Sequence, residues 1–142
     1  MSDAAGSKQE LRVELSLPAT AEWIALARTT GAAIASRWSF SYDEIADLRL
    51  AIDELCLALI RDGRGERLDL VYRLDAGSIE VTGKMRAGTA GASEELTEAD
   101  HALSERGLSE RILDALVDGH GSDADDSHVR AWLRKDRSTA TT

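Results

Sequence analysis

Glu54, beside Asp53, is the first side chain in this sequence placed to act as a general base. A carboxylate can take a proton from an attacking hydroxyl, yet on an amphipathic helix it is more often a solvated or capping group. Cys56 follows Leu55 in the same stretch and reads as a buried structural thiol, because a reactive cysteine needs an exposed, electropositive setting. His101, His120 and His128 have no zinc-type spacing with cysteine or carboxylate partners, so no metal site is expected. Gly63-Arg64-Gly65 imitates a phosphate loop only in its glycines, lacking the Lys-Ser/Thr pair and the strand-to-helix context. By residue type alone, Arg28 is a solvent-facing arginine. Trp23, about a turn earlier, suits core packing as well as contact.

The bulk properties restrict what these residues can serve. At 142 residues and 43% hydrophobic content the chain suits one domain with one core. Its 26 acidic and 17 basic side chains give a formal net charge of −9. That field opposes direct nucleic-acid binding and suits a basic protein partner. No apolar run approaches the ~20 residues of a membrane helix. Residues 1–9 lack the apolar stretch of a secretion signal, and the single cysteine cannot pair within the chain. A cytoplasmic protein with no membrane contact is the expectation.

Alternation of Leu11, Val13, Leu15 and Leu17 with polar residues predicts a half-buried strand ended by Pro18. Thr20 is placed to cap a helix over 21–37. Ser41 and Glu44 form a capping-box pattern, behind which Ile45, Leu48, Ile52, Leu55 and Leu59 make one apolar stripe. Gly63 and Gly65 suit the end of that helix. Leu68, Leu70, Tyr72 and Leu74, the turn Asp75-Ala76-Gly77, then Ile79 and Val81 predict an antiparallel hairpin. Over 84–106 the pattern dissolves into an acidic lid-like loop. Leu108, Ile112, Ala115 and Leu116 predict a short last helix to about Asp118, broken by Gly119 and Gly121. A polar turn over 122–126 and a strand with Val129, Ala131 and Leu133 close the order. The fold class is therefore α+β: a two-layer sandwich with a mixed, mainly antiparallel sheet and helices on one face. Residues 11–135 form the domain, between flexible tails at 1–10 and 136–142.

The stretch Asp43-Glu44-Ile45-Ala46-Asp47-Leu48-Arg49-Leu50-Ala51-Ile52-Asp53-Glu54-Leu55-Cys56 resembles the second helix of the anti-sigma-factor serine kinases of Gram-positive bacteria. These belong to the histidine-kinase-like ATPase superfamily, and the wording is nearest the actinobacterial, mycobacterial sigma-F type branch. Leu17-Pro18-Ala19, Leu26-Ala27-Arg28 and Arg106-Gly107-Leu108 fit as well, so the resemblance runs over about 11–135. It implies that Glu54 matches a glutamate base. The family's magnesium-binding asparagine, four residues on, is replaced here by Ala58, whose methyl cannot ligate a hard cation. Gly83 falls where an aspartate reads the adenine amino group. Gly107-Leu108-Ser109 keeps one member of a phosphate-approaching glycine pair.

On this basis Glu54 is a vestigial base. Any retained nucleotide contact would run through Glu54, Gly83, Gly107 and Ser109, with no cofactor required and at most weak ATP or ADP binding. Arg28, with Trp23 beside it, corresponds to the family's partner contact. The implied function is an anti-sigma factor that sequesters an alternative sigma factor, works as a homodimer, lacks kinase activity and is released by an anti-anti-sigma protein. Two alternatives stand beside it: an active ATP-dependent serine kinase of that antagonist, and an adaptor that binds only antagonist-type domains.

Overall fold

The computed structural model describes residues 10–87 and 96–138, with side chains from 106 onward in the second stretch. Strand β1 (Leu11–Pro18) leads through a single turn of 3-10 helix, Ala21–Trp23, into α1 (Ile24–Arg37) and α2 (Tyr42–Asp62). The hairpin of β2 (Arg67–Asp75) and β3 (Ser78–Arg86) is followed by α3 (Leu96–Leu116), β4 (Gly119–Ala124) and β5 (His128–Asp136). The strands form one five-stranded sheet in the order β1-β2-β3-β5-β4, and every pairing is antiparallel. With the helices on one sheet face, the molecule is an α+β two-layer sandwich.

Helix α2 seats the core. Leu48, Ile52, Leu55 and Leu59 are buried along one face, meeting Leu68, Leu70, Tyr72, Leu74, Ile79, Val81 and Leu133 from the sheet. Each such leucine contributes about 1.5–3 kcal/mol by leaving water. Glycine at 31 lets α1 approach closely, since a Cβ there would overlap Ile52 Cδ1. The buried Tyr72 hydroxyl donates to the Ala27 carbonyl at 2.7 Å, tying β2 to α1. At the hairpin tip Ala76 (φ 38°) and Gly77 (φ 89°) both lie in the left-handed region, as a tight two-residue turn requires.

Several elements depart from the sequence reading. The helix expected from residue 21 opens as a 3-10 turn, and the Thr20 side chain makes no cap bond. Residues 84–86 complete β3, and 96–106 are helical, so most of the expected lid is regular structure; 88–95 lie outside the described residues. Helix α3 buries Ser109 and Leu113, leaving Leu108 exposed. It stops at Leu116, before Asp118. Gly119 and Gly121 do not merely break a helix: they belong to β4, where a Cβ at Gly119 would meet Arg134 Nη1 at 2.9 Å and one at Gly121 would meet Trp132 Nε1 at 2.8 Å.

The capping box at Ser41 and Glu44 is present, and it is shared with the C-terminal segment. Glu44 accepts from the Ser41 N–H at 2.7 Å and from the Ser138 N–H at 2.6 Å. Arg137, assigned by sequence to a tail, donates to the Trp38 carbonyl at 2.8 Å, and its backbone N–H donates to Gly77 O at 2.6 Å. Partial burial alone would raise the Glu44 pKa. Hydrogen bonds from Ser41 and Ser138, with the Lys135 charge, outweigh it and hold the carboxyl below its ordinary value. Stability from this group is therefore present above the ordinary value of 4.5 and is lost as pH falls through the folded pKa. Glu44→Ala should lower unfolding free energy by about 1–2 kcal/mol near neutral pH. In urea titrations at stepped pH, the wild-type and variant stabilities should converge on acidification; a gap constant with pH would contradict this role.

Candidate functional site

Between the C-terminal half of α2, helix α3 and strands β4 and β5 lies a cleft of about 690 Å³. Its floor is apolar, with Leu55, Leu59, Leu113 and Ala131, and Ala58 lines one wall. Ser109, also buried, lines it as well. The rest of the lining mixes charged side chains, Glu110 among them, with small and apolar residues of β4 and β5. Asp62 Oδ1 lies 3.2 Å from Arg106 Nη2 and 3.4 Å from Arg61 Nε, which joins α3 to the end of α2. Arg130 makes longer contacts, 3.3 Å to Asp123 and 3.4 Å to Asp125. His120 Nε2 lies 2.7 Å from Asp114 Oδ1.

A magnesium ion does not fit the donor set of this cleft. Ala58 offers only a methyl, the nearby carboxylate of Asp62 is engaged by guanidinium groups, and no trio of His, Cys, Asp or Glu among the described residues could hold a metal. Glu54 is half-buried on α2, one turn before Ala58, and does not line the cleft. Gly83 lies on β3 beneath α2, where a Cβ would overlap Leu59 Cδ1, so an aspartate there would require the Leu59 side chain to move. Gly107 is exposed within α3, and a Cβ there would meet nothing within 4 Å. Of the four residues expected to touch nucleotide, only Ser109 lines the cleft. Cys56 is fully buried and its thiol is pushed up to about 12 by desolvation and the nearby Asp53, so it is a packing group.

A second surface lies where α1 meets α2. Arg28 on α1 and Asp53 on α2 form an ion pair, Nη1 to Oδ1, at 2.8 Å. Both side chains are about a third exposed (31% and 29%), so the pair itself stabilises by only ~0.2–1 kcal/mol. Trp23 is 43% exposed in the turn before α1, as is Leu26 on α1, while Leu50 and Leu57 on α2 are 56% and 44% exposed. A shallow groove beside the ion pair is lined by Tyr42, Ile45, Arg49 and Leu50. The exposed leucines of α2 are a signal that its sequence carries, because they fall outside the buried stripe.

No protein-family profile matches the chain. Over 70 residues it is 34% identical to the serine-protein kinase RsbW of Bacillus thuringiensis (strain Al Hakam), and equally to the RsbW proteins of Bacillus cereus (strain B4264) and Bacillus anthracis (strain A0248). This partial match supports an RsbW-type kinship. It takes in 49% of this chain and 39% of each relative, so the chain spans about two-fifths of the length of the curated relatives it matches. The α+β sandwich fits the ATPase-type fold that the resemblance implies. No helix among the described residues is long and apolar enough to cross a membrane.

The positions Gly83 and Gly107 differ in kind, and substitution separates them. Gly107→Ala should raise stability by about 0.5–1 kcal/mol, because an exposed mid-helix glycine costs backbone entropy and leaves space for a methyl. Gly83→Ala should lower it by about 1–3 kcal/mol through collision with Leu59. Thermal unfolding of both variants checks the pair of signs; a destabilised Gly107→Ala would mean that this position needs a non-helical backbone.

Proposed function

We propose that this domain is an anti-sigma factor: it sequesters an alternative sigma factor and is released by an anti-anti-sigma protein, without transferring phosphate. The observation that carries the reading is the exposed apolar surface of α1 and α2 around Arg28 and Asp53, in a chain similar to RsbW proteins. Buried aromatic and arginine anchors dominate protein interfaces, and Trp23, Leu26 and Arg28 supply that chemistry on one short segment. The formal charge of −9 favours encounter with a basic partner and disfavours nucleic acid. Ala58 in place of an oxygen ligand argues against magnesium-dependent catalysis, leaving Glu54 without the metal that a phosphoryl acceptor step would need. The domain works in the cytoplasm, as a homodimer, and requires no cofactor.

One observation favours a second reading. The relatives are named serine-protein kinases, so an active ATP-dependent kinase acting on the antagonist remains the rival. Radiolabel transfer from ATP to a partner serine, lost in Glu54→Ala, would establish it.

The primary test is a tagged pull-down from native lysate with and without Mg-ATP, with bound proteins identified by mass spectrometry. A sigma factor recovered in both conditions supports sequestration, and Arg28→Ala should reduce its recovery while leaving thermal unfolding nearly unchanged. Recovery of antagonist-type proteins alone would favour a pure adaptor. Recovery of neither would overturn the proposal.

A further inference from the structure

We infer that a pocket at one end of the sheet binds a phosphate dianion, either free or as the monoester of a phosphorylated side chain. The pocket is built by the loop after α2 and the ends of three strands. Arg64 comes from the loop, Arg67 from the start of β2, Arg86 from the end of β3 and His128 from the start of β5. Arg86 and His128 are register partners in the β3–β5 pairing. The pocket measures about 520 Å³ and shares no lining residue with the cleft between α2 and α3.

The Gly63-Arg64-Gly65 segment shapes one wall. A Cβ at Gly65 would meet Arg86 Cβ at 2.9 Å and the Arg86 nitrogen at 3.1 Å, so glycine lets the loop lie against β3. The Arg64 N–H donates to the Arg86 carbonyl at 3.1 Å, which holds these two residues beside each other.

The arginines are oriented by neutral acceptors. Arg64 Nη1 donates to the Gly63 carbonyl at 2.9 Å and to the Arg61 carbonyl at 3.5 Å. Arg67 donates through Nε to Ser16 Oγ at 3.2 Å and through Nη2 to the Ser16 carbonyl at 3.0 Å. Such partners fix a guanidinium group without cancelling its charge, which lowers the ordering cost of binding an anion. Arg86 makes no side-chain hydrogen bond or ion pair among the described residues. Glu66 and Asp69 also line the pocket, yet neither pairs with these arginines; Asp69 Oδ1 accepts from Ser16 Oγ at 2.7 Å. Three guanidinium charges against two carboxylates leave the pocket positive, in a chain of net charge −9. In the other cleft, by contrast, Arg106 and Arg130 are each paired with an aspartate.

Guanidinium forks match phosphate oxygens bidentately, and a dianion gains from more than one fork at once. Met85 is the one apolar side chain lining the pocket among the described residues, so a small, fully charged ligand suits it better than a base or an apolar side chain. Glu66 competes for the same forks, which makes binding modest and salt-sensitive.

The test is an amide-resolved NMR titration of the full chain with sodium phosphate, against sodium chloride at equal ionic strength. Saturable shifts at the Gly65, Arg86 and His128 amides are expected with phosphate alone. Arg64→Gln and Arg86→Gln should each weaken binding about five- to tenfold, whereas Glu66→Gln should tighten it. Thermal unfolding verifies that each variant folds, and a gain from Glu66→Gln is an effect that misfolding does not produce. A phosphoserine peptide and its unphosphorylated form separate the sources. Tighter binding of the phosphopeptide than of inorganic phosphate assigns the pocket to a modified side chain, and equal or weaker binding assigns it to free phosphate. An equal response to chloride, shifts confined to the cleft between α2 and α3, or binding unchanged in both arginine variants would overturn the inference.

Discussion

Helix α2 gives one complete face, Leu48, Ile52, Leu55 and Leu59, to the sheet, and the positions of the other elements follow from that burial. A five-stranded antiparallel sheet with one apolar face cannot stay in water, and a single 21-residue helix cannot cover it. Helix α1 therefore packs on one flank of α2 and α3 on the other. Glycine stands at two of the closest approaches: Gly31, where a Cβ would crowd Ile52 Cδ1, and Gly83, where one would crowd Leu59 Cδ1. Small residues at these points let the helical layer sit at packing distance, and larger ones would force the layers apart.

The C-terminal segment closes the same arrangement from below. Lys135 Nζ donates to the Leu116 carbonyl at the end of α3 at 2.8 Å and lies 3.5 Å from Asp47 on α2. Asp118 Oδ2 accepts from the Asp136 N–H at 2.8 Å, while Arg137 reaches the end of α1 and Ser138 reaches Glu44. The end of α1, the start of α2 and the end of α3 are thereby fastened to one extended segment. Helix ends carry unsatisfied backbone groups, and here tertiary partners meet part of that need.

Because α2 is central, it presents different chemistry on different sides. Asp53 meets Arg28 on the α1 side, where the exposed leucines and Trp23 make a surface suited to a protein. Ala58 and Asp62 face the α3 side, where arginines and carboxylates surround an apolar floor. Only the core-facing side of this helix is buried, while Leu50 and Leu57 stay exposed. The Arg106–Asp62 ion pair ties α3 to the end of α2 on that side.

Local periodicity determined most of the architecture. The stripe of α2, the capping box, the Leu68–Leu74 alternation and the Ala76-Gly77 turn were all legible, because each is set by neighbours in sequence. Strand β4 was hidden, since Gly119 and Gly121 disfavour strands by themselves and are accommodated against Arg134 and Trp132, partners supplied by β5. The helical stretch over 96–106 was hidden by the weak apolar pattern that precedes it. At the candidate site, the absence of an oxygen ligand at Ala58 was readable from residue type alone. The gathering of Arg61, Arg106 and Arg130 was not, because no spacing links them and only the packing of α3 and β5 against α2 brings them to one cleft. Sequence thus determined which residues could form helices, strands and caps, a matter of short-range geometry. The tertiary structure alone decided which distant charges share a cleft and which apolar residues stay in water, since both depend on how the layers close over one another.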